Sequence, residues 1–130
     1  MIFKKAPDVR KRLKEILKKI EMSYVKFEQI AAIRSYGSKS RAIARIWAFP
    51  TIWQEALGIK PHYVIEVLSE KFDRQNPEQQ TKTLIHELLH IPSTFSGALR
   101  PHRTGSFHLG RELEKVVRHI RKVENKKLKV

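Results

Sequence analysis

His86, Glu87 and His90 stand in the spacing H-E-x-x-H, and the residue types and the spacing together define a chemistry. On a helix, residues four apart share a face, so two imidazoles at these positions can reach one metal ion. Glu87 lies about 100° around the helix from His86, beside such an ion instead of beneath it. There its carboxylate can take a proton from a metal-bound water. Zinc brings the pKa of that water to about 7, which puts the proton within reach of a carboxylate at neutral pH. The implied chemistry is hydrolysis of a peptide bond with one zinc ion as cofactor.

A catalytic zinc needs a third protein ligand and an open position. Gly and His three and six residues after the second histidine would mark a metzincin, but those positions hold Ser93 and Ser96. His102, His108 and His119 remain as candidates, with Glu112 or Glu114 as the carboxylate alternative on the following helix. His102 follows Pro101 in a loop that Gly105 allows to turn back, and His108 comes six residues later. Spacing does not rank the two. His119 lies deep in the last helical segment, where a surface or core-edge histidine is the simpler reading.

The helix that carries the motif is marked at both ends. Asn76 caps it, Pro77 takes its first position, and Gln79 completes a capping-box spacing; Pro92 stops it. Leu84, Ile85, Leu88 and Leu89 form its apolar face, and the expected span is 77–91. An apolar-rich stretch without a clean period over 27–35, and alternating apolar residues over 41–49 and 62–68, predict three strands, the first two joined by a turn at Gly37. A short helix over Thr51 to Leu57 is closed by Gly58. Ser69 to Gln75 reads as a polar connection, and Ser93 to Phe107 as an irregular loop. Helical periodicity predicts amphipathic helices over 8–21 and 109–124, with a fraying basic tail beyond.

A chain of 130 residues has room for one ordinary domain. The absence of cysteine excludes disulfides and thiolate-bound zinc, leaving His, Asp and Glu as ligands. No apolar run approaches the ~20 residues of a membrane span. The N-terminus lacks the apolar core of a signal peptide, so a soluble, cytoplasmic protein is expected. The formal net charge of +14 is uneven. Residues 1–20 carry eight Lys/Arg against two acids, and residues 111–130 eight against three. A surplus of this kind attracts polyanions, nucleic acid first among them, or simply keeps a surface solvated. Any anion-binding surface would be built from the two ends.

The run TLIHELLHIPSTFSGALRPH, with GSKSRAIARIWAFPTIWQEALGIKPHYVIEVLSEKFD before it, resembles a metallopeptidase family found in archaea and phages. More distantly it is similar to the SprT-like proteases, which also place a third histidine in a loop after H-E-x-x-H. The resemblance covers about Phe27 to His102. It implies zinc on His86, His90 and His102, with Glu87 as the base; the stretch after His102 departs from the family pattern and keeps His108 open. It also implies an α+β, zincin-like single domain, in which the small sheet packs on the helix 77–91. A strand beside that helix would bind the peptide by strand addition, and Tyr63 to Leu68 is the candidate. Arg100 or Tyr63 is the candidate to steady the oxyanion. The expected partner is a peptide or protein substrate. The alternatives are a non-catalytic, zinc-containing nucleic-acid-binding protein, or a protease directed to DNA-associated proteins.

Overall fold

Pro7 at the first helical position and Asp8 in the first turn start α1 (Pro7–Lys19), whose Val9, Leu13 and Ile16 are buried. In the computed structural model, which describes residues 1–128, this helix follows a short strand, β1 (Ile2–Lys5). The chain continues through a single 3-10 turn (Phe27–Gln29) into β2 (Ile30–Tyr36), then β3 (Ala44–Trp47) and α2 (Thr51–Leu57). Next come β4 (Tyr63–Leu68), the one-turn α3 (Ser69–Phe72) and α4 (Pro77–Leu88). A two-stranded hairpin, β5 (Arg103–Thr104) and β6 (Phe107–His108), leads into α5 (Leu109–Leu128). The fold is α+β, with one mixed four-stranded sheet and five helices.

The sheet runs in the order β1-β2-β4-β3. β2 and β4 are parallel, with Ile30 opposite Tyr63 and Ser35 opposite Leu68; β1 and β3 flank them antiparallel. The expected hairpin between the second and third strands is therefore absent. Gly37 does turn the chain with a φ of 79°, but β4 inserts between β2 and β3. The apolar pattern that marks a strand says nothing of its neighbours, and a parallel β2–β4 pair needs the long crossover that β3 and α2 supply.

Tyr63, Ile65 and Val67 on one face of β4 join Leu84, Ile85 and Leu88 of α4 and Val9 and Leu13 of α1 in a single buried cluster. Burial of such side chains contributes about 1.5–3 kcal/mol each, which makes this cluster the main force holding α4 on the sheet. Arg12 fastens α1 to the start of α4 through Gln80, the Pro77 carbonyl and Thr81. Arg34 of β2 is held between Asp8 and Asp73 at 2.6 and 2.8 Å.

Several expected elements and boundaries change. β1 and α3 are elements where none was expected, both too short to show a period. α4 gives way to a tighter turn at Leu89 and His90, short of residue 91. α5 runs to Leu128, past the expected helix end at residue 124; the last two residues of the basic tail lie outside the described residues.

Candidate metal centre

The capping box expected at Asn76 is present in full. Asn76 Oδ1 accepts from the Gln79 amide at 2.9 Å, and Gln79 Oε1 accepts from the Asn76 amide at 3.1 Å. From this fixed start, ten residues of helix carry His86 to the half-buried end of α4. His90 follows in a tight turn closed by its amide on the Glu87 carbonyl at 3.1 Å. The two rings lie 5.3 Å apart, centre to centre, and 27° from parallel.

Arg100 brings the loop back to this helix end. Its amide donates to the His90 carbonyl at 2.8 Å, and its Nε donates to the Leu89 carbonyl at 2.9 Å. These are two of the carbonyls that a helix C-terminus leaves without partners. The guanidinium also stacks on Phe107, 3.9 Å from the ring centre. Two residues on, His102 therefore faces the α4 histidines. Its Nε2 is 3.1 Å from the Nε2 of His86, and its ring centre is 4.7 Å from that of His90. The ligand atoms of His86, His90 and His102 all lie within 4.8 Å of one another. Tetrahedral zinc with bonds near 2.05 Å needs nitrogens about 3.3 Å apart, so small ring rotations bring the three into register.

The protonation states suit a metal. Burial, reinforced by the neighbouring histidines, lowers the pKa of His86. Burial lowers that of His90 as well, and both favour the neutral imidazole that a metal takes as ligand. His90 Nδ1 is 2.7 Å from the Arg100 carbonyl, so that nitrogen carries the proton and Nε2 is left for a metal. The residues present fit a His-ligated ion with open positions.

Glu87, between the two α4 histidines in sequence, is buried on the β3 side of the helix. Burial pushes its carboxyl up to about 7, against the opposing pull of a backbone hydrogen bond from Ile46. A cation beside it would draw it down again. Glu87 thus links α4 to the edge strand β3.

The other candidates lie elsewhere. His108 pairs with Arg103 in the β5–β6 hairpin, and its Nδ1 accepts from the Arg111 amide at 3.3 Å, capping α5. Glu112 and Glu114 pair with Lys115 and Arg118 on the surface of α5. His119 faces α1 across a shallow depression. Among the described residues, His86, His90 and His102 are the group of His, Asp or Glu placed to share a metal ion.

Two roles assigned to side chains change. Tyr63 is buried beneath the loop: its hydroxyl donates to the Ala98 carbonyl at 2.7 Å and accepts from the Gly97 amide at 2.9 Å. Arg100 spends its guanidinium on Leu89, Phe107 and, at 3.5 Å, Tyr24. Neither is free to meet an oxyanion. Tyr63 to Leu68 also cannot accept a peptide strand, because β4 is paired on both edges. The open edge next to α4 is β3, a strand read in the sequence as the far arm of a hairpin.

β3 is fastened from its outer face. Arg45 Nε and Trp47 Nε1 each donate to Glu66 Oε1 at 2.9 Å, and Glu66 on β4 is almost wholly buried. Burial pushes the Glu66 carboxyl up, but the bonds from Arg45 and Trp47 outweigh it and hold the group below its ordinary range. Beyond β3, Gln54 of α2 donates to the carbonyls of Phe49 and Ser96, tying the strand's exit to the loop that carries His102.

Over residues 1–125 the sequence matches the family described as "Putative phage metallopeptidase". No curated protein and no solved structure matches it. No helix among the described residues is long and apolar enough to cross a membrane. With the match covering nearly the whole chain, and a histidine cluster in place for the metal that such a family requires, this chain belongs to that metallopeptidase family.

Proposed function

We propose that the chain is a single zincin-like domain that hydrolyses peptide bonds with one zinc ion on His86, His90 and His102 and with Glu87 as general base. The observation that carries this reading is the convergence of three imidazoles beside a buried carboxylate whose pKa stands near neutrality. Three neutral nitrogen ligands with no thiolate suit zinc in an open, catalytic arrangement. When bound, such an ion supplies Lewis acidity toward the scissile carbonyl and acidifies a coordinated water.

The chain's own residues account for the rest. Glu87 takes the proton of the attacking water on its carboxylate and returns it to the departing amine nitrogen. Its burial keeps bulk water from competing for that proton. The free edge of β3 offers backbone groups to an extended peptide, which would lie across the mouth of the histidine cluster. Arg45, Trp47 and Glu66 hold that edge straight.

Glu87→Gln tests the reading. Zinc content, measured by mass spectrometry of the purified protein, is expected to stay at one equivalent, while casein cleavage falls by about 10²–10⁴-fold. Cleavage that survives the substitution unchanged would remove Glu87 from the chemistry and with it the proposed mechanism.

A further inference from the structure

The two basic ends of the sequence meet in the fold. Lys19 at the end of α1 pairs with Glu124 of α5 at 3.4 Å. Glu15, Lys18 and Lys19 of α1 line one shallow depression with His119, Val123 and Lys127 of α5. Segments about a hundred residues apart, which together hold eleven of the fourteen surplus positive charges, thus face one another across this depression.

The charges on α5 are ordered. Arg111, Lys115, Arg118, Lys122 and Lys126 are all exposed and recur at steps of four, three, four and four. At 100° per residue they fall within about 80° of arc, opposite Leu113, Val116 and Ile120 on the packed side. Glu112 and Glu114 flank this stripe, and their pairings with Lys115 and Arg118 at 3.4 and 3.8 Å are exposed and of small energetic weight. The stripe runs about 22 Å, and one strand of a duplex presents about six phosphates over that distance.

The alternative anionic partner, a lipid surface, calls for apolar side chains interleaved with the charge. The large exposed apolar residues lie instead on the sheet edge and α2, such as Phe3, Trp47, Ile52 and Trp53; on α5, Leu128 at its end is the exception.

We propose that the exposed face of α5, flanked by Lys18 and Lys19 of α1, is a nucleic-acid-binding surface that reads the phosphate backbone and not the base sequence. The stripe begins at Arg111 in the first turn of α5, whose Leu109 amide donates to the His102 carbonyl at 2.8 Å. The bound polyanion therefore starts beside the histidine cluster and runs away from it along the helix. This binding is independent of the proposed hydrolysis, and neither stands on the other.

The test is fluorescence anisotropy of the full chain with a labelled random-sequence DNA duplex of about 20 base pairs, titrated at several salt concentrations. Lys115→Gln, Arg118→Gln and Lys122→Gln are combined in one variant; Lys26→Gln, Lys39→Gln and Lys60→Gln form a control with the same change in net charge. The α5 variant is expected to weaken binding by at least roughly ten-fold at low salt, and to make the log–log salt slope shallower by about 0.9 for each phosphate that is no longer neutralised. The control should change affinity by less than about three-fold, and thermal melting should show both variants folded. Equal weakening by both variants overturns the proposal, as does absent binding to DNA. Pelleting with phosphatidylserine vesicles without DNA affinity also overturns it, in favour of a membrane surface.

Discussion

His90 and Arg100 are joined in both directions: the His90 ring donates to the Arg100 carbonyl at 2.7 Å, and the Arg100 amide donates to the His90 carbonyl at 2.8 Å. One ligand candidate is thereby oriented by the same loop that delivers another, His102. The arrangement fixes the His90 tautomer and sets how far the loop stands from α4. Arg100 adds its side chain to the Leu89 carbonyl, so a residue expected at the oxyanion acts as a brace.

Arg100→Ala is accordingly expected to weaken zinc binding without removing any ligand. Without the charge-assisted bond to Leu89 and the stacking on Phe107, stability should fall by about 1.5–3 kcal/mol. The loosened loop should raise the zinc Kd by about 10–100-fold, read by competition with a chromophoric chelator. An unchanged Kd would mean that the loop holds His102 without this brace.

The histidine pair 102 and 108 separates cleanly by metal content. His102→Ala should lose the bound zinc on gel filtration. His108→Ala should keep it, and should lose only about 1 kcal/mol from the missing cap on α5. The reverse pattern would place the third ligand on the hairpin.

Glu66 makes the edge strand sensitive to acid. Its folded carboxyl sits below the ordinary value, so its contribution is complete above the unfolded pKa and is lost as pH falls through the folded one. Glu66→Gln keeps an acceptor for Trp47 but gives up the charge opposite Arg45. Its melting temperature should lie below that of the unmodified protein at pH 7, with the gap closing below about pH 4. A gap that stays constant across that range would show that the Glu66 charge contributes nothing.

Gly97 cannot carry a side chain. Its φ is 92°, and an added Cβ would collide with the Phe49 carbonyl and Gln54 Nε2. Gly97→Ala should cost about 1–3 kcal/mol from backbone strain alone, more from the collision, and should break the Phe49 amide bond to the Gly97 carbonyl. Urea unfolding measures the first effect, and amide exchange at Phe49 the second.

How much of this was legible follows the range of each signal. The α4 helix was open to view because Asn76, Pro77 and Gln79 act within one turn, and its apolar face has a period. The Gly58 close of α2 is equally local, with φ at 63°. His102 and His108 could not be ranked by spacing, because their separation is decided by the bonds of Arg100, ten residues away from His90. Sheet order was out of reach: alternation in Ala44–Trp47 and Tyr63–Leu68 is the same whether a strand is central or at an edge. Hence the expectation of an open edge at Tyr63–Leu68 fails, and the edge strand next to α4 is β3. The pairing of Glu66 with Arg45 and Trp47 depends on that same order and was equally hidden.

The placement of β4 between β2 and β3 also governs how the molecule is made. β3 emerges from the ribosome with no partner, since β2 does not pair with it, and must wait for Tyr63–Leu68. Each added stretch of intervening chain raises the entropy cost of that closure only slowly, but the pairing is non-local and therefore slow compared with helix formation. The proposed peptide-binding edge thus comes into being only as the sheet is completed. On the proposed reading, a nascent or partly unfolded copy lacks the strand edge that would hold a substrate.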